Sequence, residues 1–277
     1  MPHMKLPNWV VPGSAVLFWA ACTVLQSPAE HARSLAREAK FEQLRLSDSR
    51  LIAYMRRGTT TRAERVTIYI ESDGAPWRLP DEPPADPTPL KPFVMRMAIS
   101  DVSPATAYLS RPCQYLSETE RRHCDANLWM QARFSGEAVT ATNQAIDQIK
   151  SSTGASAVNL VGYSGGGAMA ALVAARRNDV SCLVTLAAPL DTDAWTDSLQ
   201  VSRLALSGNP ADVAEKLRNV RQTHFRGLHD KLVPAATVNR FLERVPGATV
   251  IDKPDFDHQC CWSEQWRELS RASCLGQ

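Results

Sequence analysis

The sequence predicts an α/β fold with a mostly parallel central sheet and helices on both of its faces. Three observations carry this. Runs dense in β-branched and aliphatic residues, such as RVTIYI, AVNLVGY and VSCLVTL, read as strands, and the last two are apolar enough to be buried on both sides. Segments whose apolar residues recur every three or four positions alternate with them, the pattern of successive βαβ units. At 277 residues the chain is long enough to bury one sizeable core around such a sheet.

From the N-terminus, Lys5 precedes an apolar stretch from Trp9 to Ala21, too short to span a bilayer comfortably and interrupted by Pro12 and Gly13. Cys22 follows two alanines directly. Residues 1–22 resemble a bacterial lipoprotein signal, in which that cysteine is acylated and becomes the mature N-terminus, although Trp19 stands where such signals usually carry leucine. An ordinary cleaved signal or a short anchor is the alternative. The expectation is an exported protein of the bacterial cell envelope, held to the membrane through lipid on Cys22 or free in the periplasm.

Residues 23–44, charged and alanine-rich, are expected to form an N-terminal tether or a short helix, and residues 45–277 the folded domain. RLIAYMRR and RVTIYIESDG open the domain as strands. Seven prolines between Pro76 and Pro92 mark a stiff surface loop. PFVMRMAIS is expected as a short helix and ATAYLS as a strand. Val139, Ala145, Ile146 and Ile149 give the stretch from Gly136 to Lys150 one apolar face, hence a helix. Next come strand AVNLVGYS, a small-residue helix from Gly166 to Arg177, and strand VSCLVTLAAP. Helix ADVAEKLRNV, strand QTHFRGLHD, helix TVNRFLERV, strand ATVIDK and a last helix around Ser263 to Ala272 complete the order. Residues 191–219 are expected to form a small cap that leaves the cleft partly open.

Composition narrows the function classes. With 44% hydrophobic and 22% charged residues the chain is not disordered throughout. A net charge of +2 without a dense basic run gives no footprint for nucleic acid. Besides Cys22 there are six cysteines, with no C-x-x-C pair and no His/Cys spacing suited to zinc, so no metal site is expected. An even count in an exported protein suggests disulfides. Cys113 with Cys124 would close a short polar loop. Cys274 is expected to bridge to Cys260 or Cys261, and Cys182, in an apolar strand, to be a buried thiol.

In a parallel sheet, sites gather where strand carboxyl ends meet the next turn. Gly162-Tyr163-Ser164-Gly165-Gly166 fits G-x-S-x-G between strand and helix, a tight turn that lifts the serine hydroxyl above the sheet edge. The Gly165 N–H, at the helix start, would face a developing oxyanion. A phosphate loop fails because no Gly-Lys-Ser/Thr follows. A dinucleotide loop stays open on this stretch alone, since Gly165 to Ala170 also fits G-x-G-x-x-A and Asp191 follows the next strand. So does a packing role for Gly166, Gly167 and Ala168. Asp230 in GLHDKLVP follows a strand and could either orient an imidazole or close a turn. His258 in PDFDHQCCW follows the last strand. Taken together, Ser164, Asp230 and His258 stand in the order expected of a nucleophile, acid and base on this architecture, which the dinucleotide reading does not explain.

On GYSGGG, GLHDKLVP and DFDH, the chain from about Arg65 onward resembles the α/β-hydrolase superfamily, and more closely its bacterial exported members. The resemblance implies the α/β-hydrolase fold with a small cap, Ser164 as nucleophile, His258 as base and Asp230 as the acid. Asp191 is the alternative acid, because some members carry it after that earlier strand. It also implies Gly165 and Ala75 as oxyanion donors, with Gly74 letting the turn close. The chain departs from the pattern at Asp73, where the superfamily usually has histidine. The implied function is hydrolysis of a small carboxylic ester or other acyl substrate without metal or organic cofactor. A serine peptidase or thioesterase is the alternative within the fold. Of another function class are a binding or structural lipoprotein on an inactive hydrolase scaffold and a nicotinamide-dependent oxidoreductase. Trp77, Trp129 and Trp195 are candidates to line an acyl pocket. His123 and His229 are expected in solvent, and His224 in the core.

Overall fold

The computed structural model describes residues 27–57, 63–74 and 83–276. The expected signal segment with Cys22, together with Ala75 and Trp77, lies outside the described residues. Helix α1 (Pro28–Glu38) opens on Ser27, whose hydroxyl accepts from the Glu30 N–H while the Glu30 carboxylate accepts from the Ser27 N–H. This reciprocal cap, with proline at the first helical position, fixes where the helix starts. It buries Ala32 and Ala36, and strand β1 (Glu42–Leu44) pairs with β2 (Ala53–Arg57). From Pro28 onward the stretch expected as a tether or a short helix takes the helix alternative, and its small side chains pack on the domain.

The remaining elements are β3 (Arg65–Ile70), α2 (Phe93–Ser100), β4 (Ala105–Leu109), α3 (Glu118–Arg121), α4 (Gly136–Thr153), β5 (Ala157–Tyr163), α5 (Gly165–Ala174), β6 (Val180–Leu186), α6 (Thr192–Ser198), α7 (Pro210–Val213), β7 (Arg221–Gly227), α8 (Asn239–Arg244), β8 (Thr249–Lys253) and α9 (Trp266–Ala272). Eight strands form one sheet in the order β1-β2-β4-β3-β5-β6-β7-β8. Pairings β1–β2 and β2–β4 are antiparallel and all others parallel. The helix expected over ADVAEKLRNV is broken into α7 and a 3₁₀ turn at Ala214–Leu217.

Side chains alternate across the sheet as strand geometry requires. Val66, Ile68 and Ile70 of β3 and Leu160 of β5 face one layer, with Ile146, Ile149 and Met169 of α4 and α5. Tyr69, Val161, Tyr163 and Val184 face the other, with Met95 of α2 and Trp262 and Trp266 near α9. Every residue of α5 is buried, and its run of glycines and alanines lets it lie close against β5 and β6. No helix among the described residues is long and apolar enough to cross a membrane.

Three disulfides join Cys113 to Cys124, Cys182 to Cys274, and Cys260 to Cys261. The first matches expectation. The other expected pairings do not hold: Cys274 reaches Cys182 of β6 rather than the Cys260–Cys261 pair, so Cys182 is not a free thiol. Chain entry into and exit from α9 set this, since the helix runs back across the sheet and sets Cys274 down over β6 and β7, where its N–H donates to Thr223 Oγ1 at 3.1 Å.

Candidate active site

The carboxyl ends of β3, β5, β7 and β8 open on the same edge of the sheet, because the parallel register pairs Ile70 with Gly162 and Gly227 with Lys253. Ser164, Asp230 and His258 sit in the turns that follow β5, β7 and β8. Ser164, half-buried, adopts φ 53° and ψ −129° between β5 and α5. That region is strained for a residue with a side chain, at a cost of order 1–3 kcal/mol. It is held by the Ser164 N–H donating to Leu186 O at 2.8 Å and by Gly167 N–H donating to Ser164 O at 2.9 Å. The turn is so tight that a methyl group on Gly162 would lie 2.3 Å from Gly166 O and one on Gly166 2.3 Å from Ile70 O, so both positions take glycine.

His258 Nε2 lies 3.0 Å from Ser164 Oγ, and His258 Nδ1 lies 2.8 Å from Asp230 Oδ2. A carboxylate can only accept, so Nδ1 carries a proton, and in the neutral ring Nε2 is the acceptor facing the serine hydroxyl. The Asp230 side chain is fully buried, and its second oxygen, Oδ1, accepts from the Leu232 and Val233 N–H groups at 2.8 Å each. Both oxygens are thus committed, and the carboxylate cannot rotate away.

The histidine loop is anchored on three sides. Its Phe256 O accepts from the His229 N–H at 3.0 Å, tying it to the turn of Asp230. Asp257 Oδ1 accepts from the Gln259 and Cys260 N–H groups at 2.7 Å each, and these bonds hold the exposed Asp257 carboxyl below its usual range. The buried Trp262 donates through Nε1 to Asp257 O at 3.1 Å. Tyr163, which precedes the serine, was not singled out by sequence reasoning. Its ring packs 5.4 Å from the His258 ring and its hydroxyl donates to His258 O. An aromatic residue next to the nucleophile position is the only sequence signal for it.

The Gly165 N–H is the first of α5, and first-turn amides have no partner within their own helix. It therefore needs a partner from outside the helix. The second expected donor, Ala75, lies outside the described residues, but the chain leading to it does not. Gly74 takes φ 96°, and a methyl group there would meet Pro87 O at 1.7 Å. Upstream, Ser72 O accepts from Gln114 Nε2 at 3.0 Å. The buried Glu71 carboxylate accepts from Tyr108 and Tyr115 hydroxyls at 2.8 and 3.1 Å. Burial pushes the Glu71 carboxyl up, and the bonds from Ser72, Tyr108 and Tyr115 pull against that shift.

Asp191, the alternative acid, is committed elsewhere. It caps α6, accepts from Asn209 Nδ2 at 2.8 Å, and pairs with Arg240 Nε at 2.7 Å and Nη2 at 2.9 Å. Burial would raise its carboxyl, but the Arg240 and Asn209 bonds outweigh burial and hold it at about 2. Residues 191–219 carry α6, α7 and the 3₁₀ turn, and Trp195 of α6 donates through Nε1 to Leu232 O at 2.7 Å, bracing the acid turn. Trp129 instead donates to Pro84 O at 3.0 Å and packs the proline-rich stretch. His123 and His229 are exposed, while His224 is buried between Thr185 Oγ1 at 2.8 Å and Gln222 Oε1 at 3.2 Å. Among the described residues no group of His, Cys, Asp and Glu could hold a metal ion.

Comparison with known proteins agrees with this fold. The family described as the alpha/beta hydrolase fold matches residues 115–232. No curated protein matches the chain. Among solved structures, Est1E from Butyrivibrio proteoclasticus is similar with a TM-score of 0.57 at 13% identity, over 85% of this chain and 96% of that one. A 2,6-dihydroxy-pseudo-oxynicotine hydrolase gives 0.60 at 17%, over 90% and 74%. The Pyrococcus horikoshii acylaminoacyl peptidase gives 0.59 at 13%, over 84% of this chain and 40% of that one. At such identities the likeness is one of fold. The sheet order, the family match over residues 115–232 and these structures agree that the chain has the α/β-hydrolase fold.

Proposed function

We propose that the protein is a serine hydrolase that cleaves carboxylic esters through an acyl-enzyme on Ser164. The observation that supports this most directly is the unbroken chain of contacts from Ser164 Oγ to His258 at 3.0 Å and on to Asp230 at 2.8 Å. Ser164 Oγ attacks the carbonyl carbon while its proton passes to His258 Nε2, and Asp230 balances the imidazolium that forms. The oxyanion of the tetrahedral intermediate is held by the Gly165 N–H and, on this reading, by Ala75; one such donor is typically worth about 3–4 kcal/mol. The imidazolium gives its proton to the leaving alkoxide. Water then enters, loses a proton to His258 Nε2 and attacks the acyl carbon, and the acid departs as Ser164 regains its proton.

The short segment between β6 and β7 favours small or medium esters, since it is no larger than two short helices and a 3₁₀ turn. Est1E has been solved with ferulic acid bound, whereas other similar structures are an acylaminoacyl peptidase and a puromycin hydrolase, so amide substrates are the second reading. A panel of p-nitrophenyl esters, aminoacyl p-nitroanilides and acyl thioesters separates them. Ester turnover that Ser164→Ala abolishes supports the proposal. A higher kcat/KM on anilides moves the assignment to a peptidase, and no turnover of any class favours an inactive binding scaffold. The three disulfides support an oxidising compartment. Lipid on Cys22 completes the proposed envelope location; Cys22→Ser should move the protein from the membrane fraction to the soluble one, and retention in membranes would contradict it.

A further inference from the structure

Asp73 is the residue that departs from the family pattern. A carboxylate beside an oxyanion donor opposes the charge that builds there during attack. Asp73 is in that position: a methyl group on Gly165 would lie 2.0 Å from its Oδ1 and 2.5 Å from its Oδ2. Yet both oxygens are occupied by guanidinium groups. Arg111 Nη1 donates to Oδ1 at 2.9 Å and Arg133 Nη1 to Oδ2 at 3.1 Å. The Arg111 side chain is 4% exposed and that of Arg133 12%. Each arginine is itself held. Arg111 Nη2 donates to Arg133 O, and its guanidinium lies over the Phe134 ring, 5.0 Å from the centroid. Arg133 Nε donates to Met130 O at 2.7 Å.

One arginine would suffice to anchor the loop. A second, largely buried, arginine on the same carboxylate does something more, because Arg111 alone already balances Asp73 and two cations on one anion leave a net positive charge beside Gly165. The other acid of the loop, Glu71, is turned to Tyr108 and Tyr115 and is not shared with either arginine's hydrogen bonds.

We infer that Asp73, Arg111 and Arg133 form the positioning device of the oxyanion site. Asp73 fixes residues 71–74 against Gly165, Arg111 balances the charge that Asp73 brings with it, and Arg133 turns the balanced pair into a net positive group beside the oxyanion. None of the three touches the reacting atoms, and the inference rests on the reading of Ser164 as nucleophile. It has a consequence that a merely structural clamp lacks. If charge is the issue, removing Arg133 does most harm while Asp73 remains ionised, and neutralising Asp73 in the same chain restores activity.

The test is kcat and KM for p-nitrophenyl butyrate in the parent, Arg133→Gln, Asp73→Asn, the double variant and Arg133→Lys, with a thermal melt of each. Arg133 is chosen over the more deeply buried Arg111. Arg133→Gln should lose roughly 10- to 100-fold in kcat with KM within about threefold, and the double variant should recover at least about fivefold of that. Arg133→Lys, which keeps the charge without the fork, should retain most of the kcat, and it carries the test if Arg133→Gln does not fold. A double variant no faster than Arg133→Gln, or a lysine variant as impaired as the glutamine one, overturns the inference. Loss of these effects in a parent whose turnover still requires Ser164 refutes the clamp alone. Parent turnover that survives Ser164→Ala refutes the hydrolase reading and the clamp with it.

Discussion

Replacing Asp230 by asparagine keeps the shape of the acid turn and changes the group that faces His258. Asp230 Oδ1 accepts two backbone N–H groups at 2.8 Å, and a carboxamide oxygen can take both. The amide NH₂ is then left opposite His258 Nδ1, where Oδ2 now sits at 2.8 Å. A donor there forces Nδ1 to accept, so the ring proton moves to Nε2. Nε2 would then point a proton at Ser164 Oγ, 3.0 Å away, and could not take the serine's own. The counter-charge for the imidazolium is lost as well. In triads of this design the same exchange lowers kcat about 10⁴-fold, or ~5.5 kcal/mol of barrier. Folding should change little, because every backbone bond to the side chain survives. The assay is kcat for p-nitrophenyl butyrate alongside urea unfolding, with Asp191→Asn as the contrast. Asp191→Asn breaks the contacts to Arg240 and lowers stability, but should hold kcat within a few-fold. A loss under tenfold in Asp230→Asn, or a larger loss in Asp191→Asn, would refute the assignment of the acid.

Further outcomes can be checked on the same material. Ser164→Gly removes the side chain that makes φ 53° costly, so the inactive variant should unfold about 1 kcal/mol later than Ser164→Ala in urea. Burial pushes His224 down to about 3, against about 6.5 in the unfolded chain. The folded state then keeps it neutral while the unfolded state gains a proton, so the stability it supports is complete above pH 6.5 and falls from there toward pH 3 by ~1.4 kcal/mol per unit. His224→Gln should flatten that slope between pH 6.5 and 4.5; an unchanged slope would show that other groups set it. Cys182–Cys274 closes a separation of 92 residues and Cys113–Cys124 one of 11. Chain entropy assigns them ~4.6 and ~2.8 kcal/mol, so Cys182→Ala/Cys274→Ala should destabilise more than Cys113→Ala/Cys124→Ala. The reverse order would place the stabilisation in native packing instead.

Much of this architecture is written in local patterns. Strand runs, the glycine pair around Ser164 and the order Ser164, Asp230, His258 are all short-range features, and each turn follows its strand directly. What escaped reading depends on the order of strands in space. Cys274 meets Cys182 because α9 returns over β6, and Arg111 meets Arg133 because the segment between them loops back beside Asp73; neither leaves a mark in the linear spacing. The start of α1 is a different case. Ser27-Pro28-Ala29-Glu30 carries both capping partners and a proline at the first position, the local signal that decides for the short helix over the tether. Likewise Asp191 ends a strand just as a triad acid would, and what sets the two apart is the pairing of Asp191 with Arg240 and Asn209 and of Asp230 with His258.

The central claim is that Ser164 is an activated nucleophile. Purified protein treated with a fluorophosphonate and digested for peptide mass mapping tests it most directly, with Ser164→Ala and His258→Ala alongside. The account predicts a single phosphonylated residue, Ser164, with no labelling of Ser164→Ala and labelling of His258→Ala slowed by orders of magnitude. Folded parent protein that stays unlabelled, or that is labelled at another serine, would contradict it.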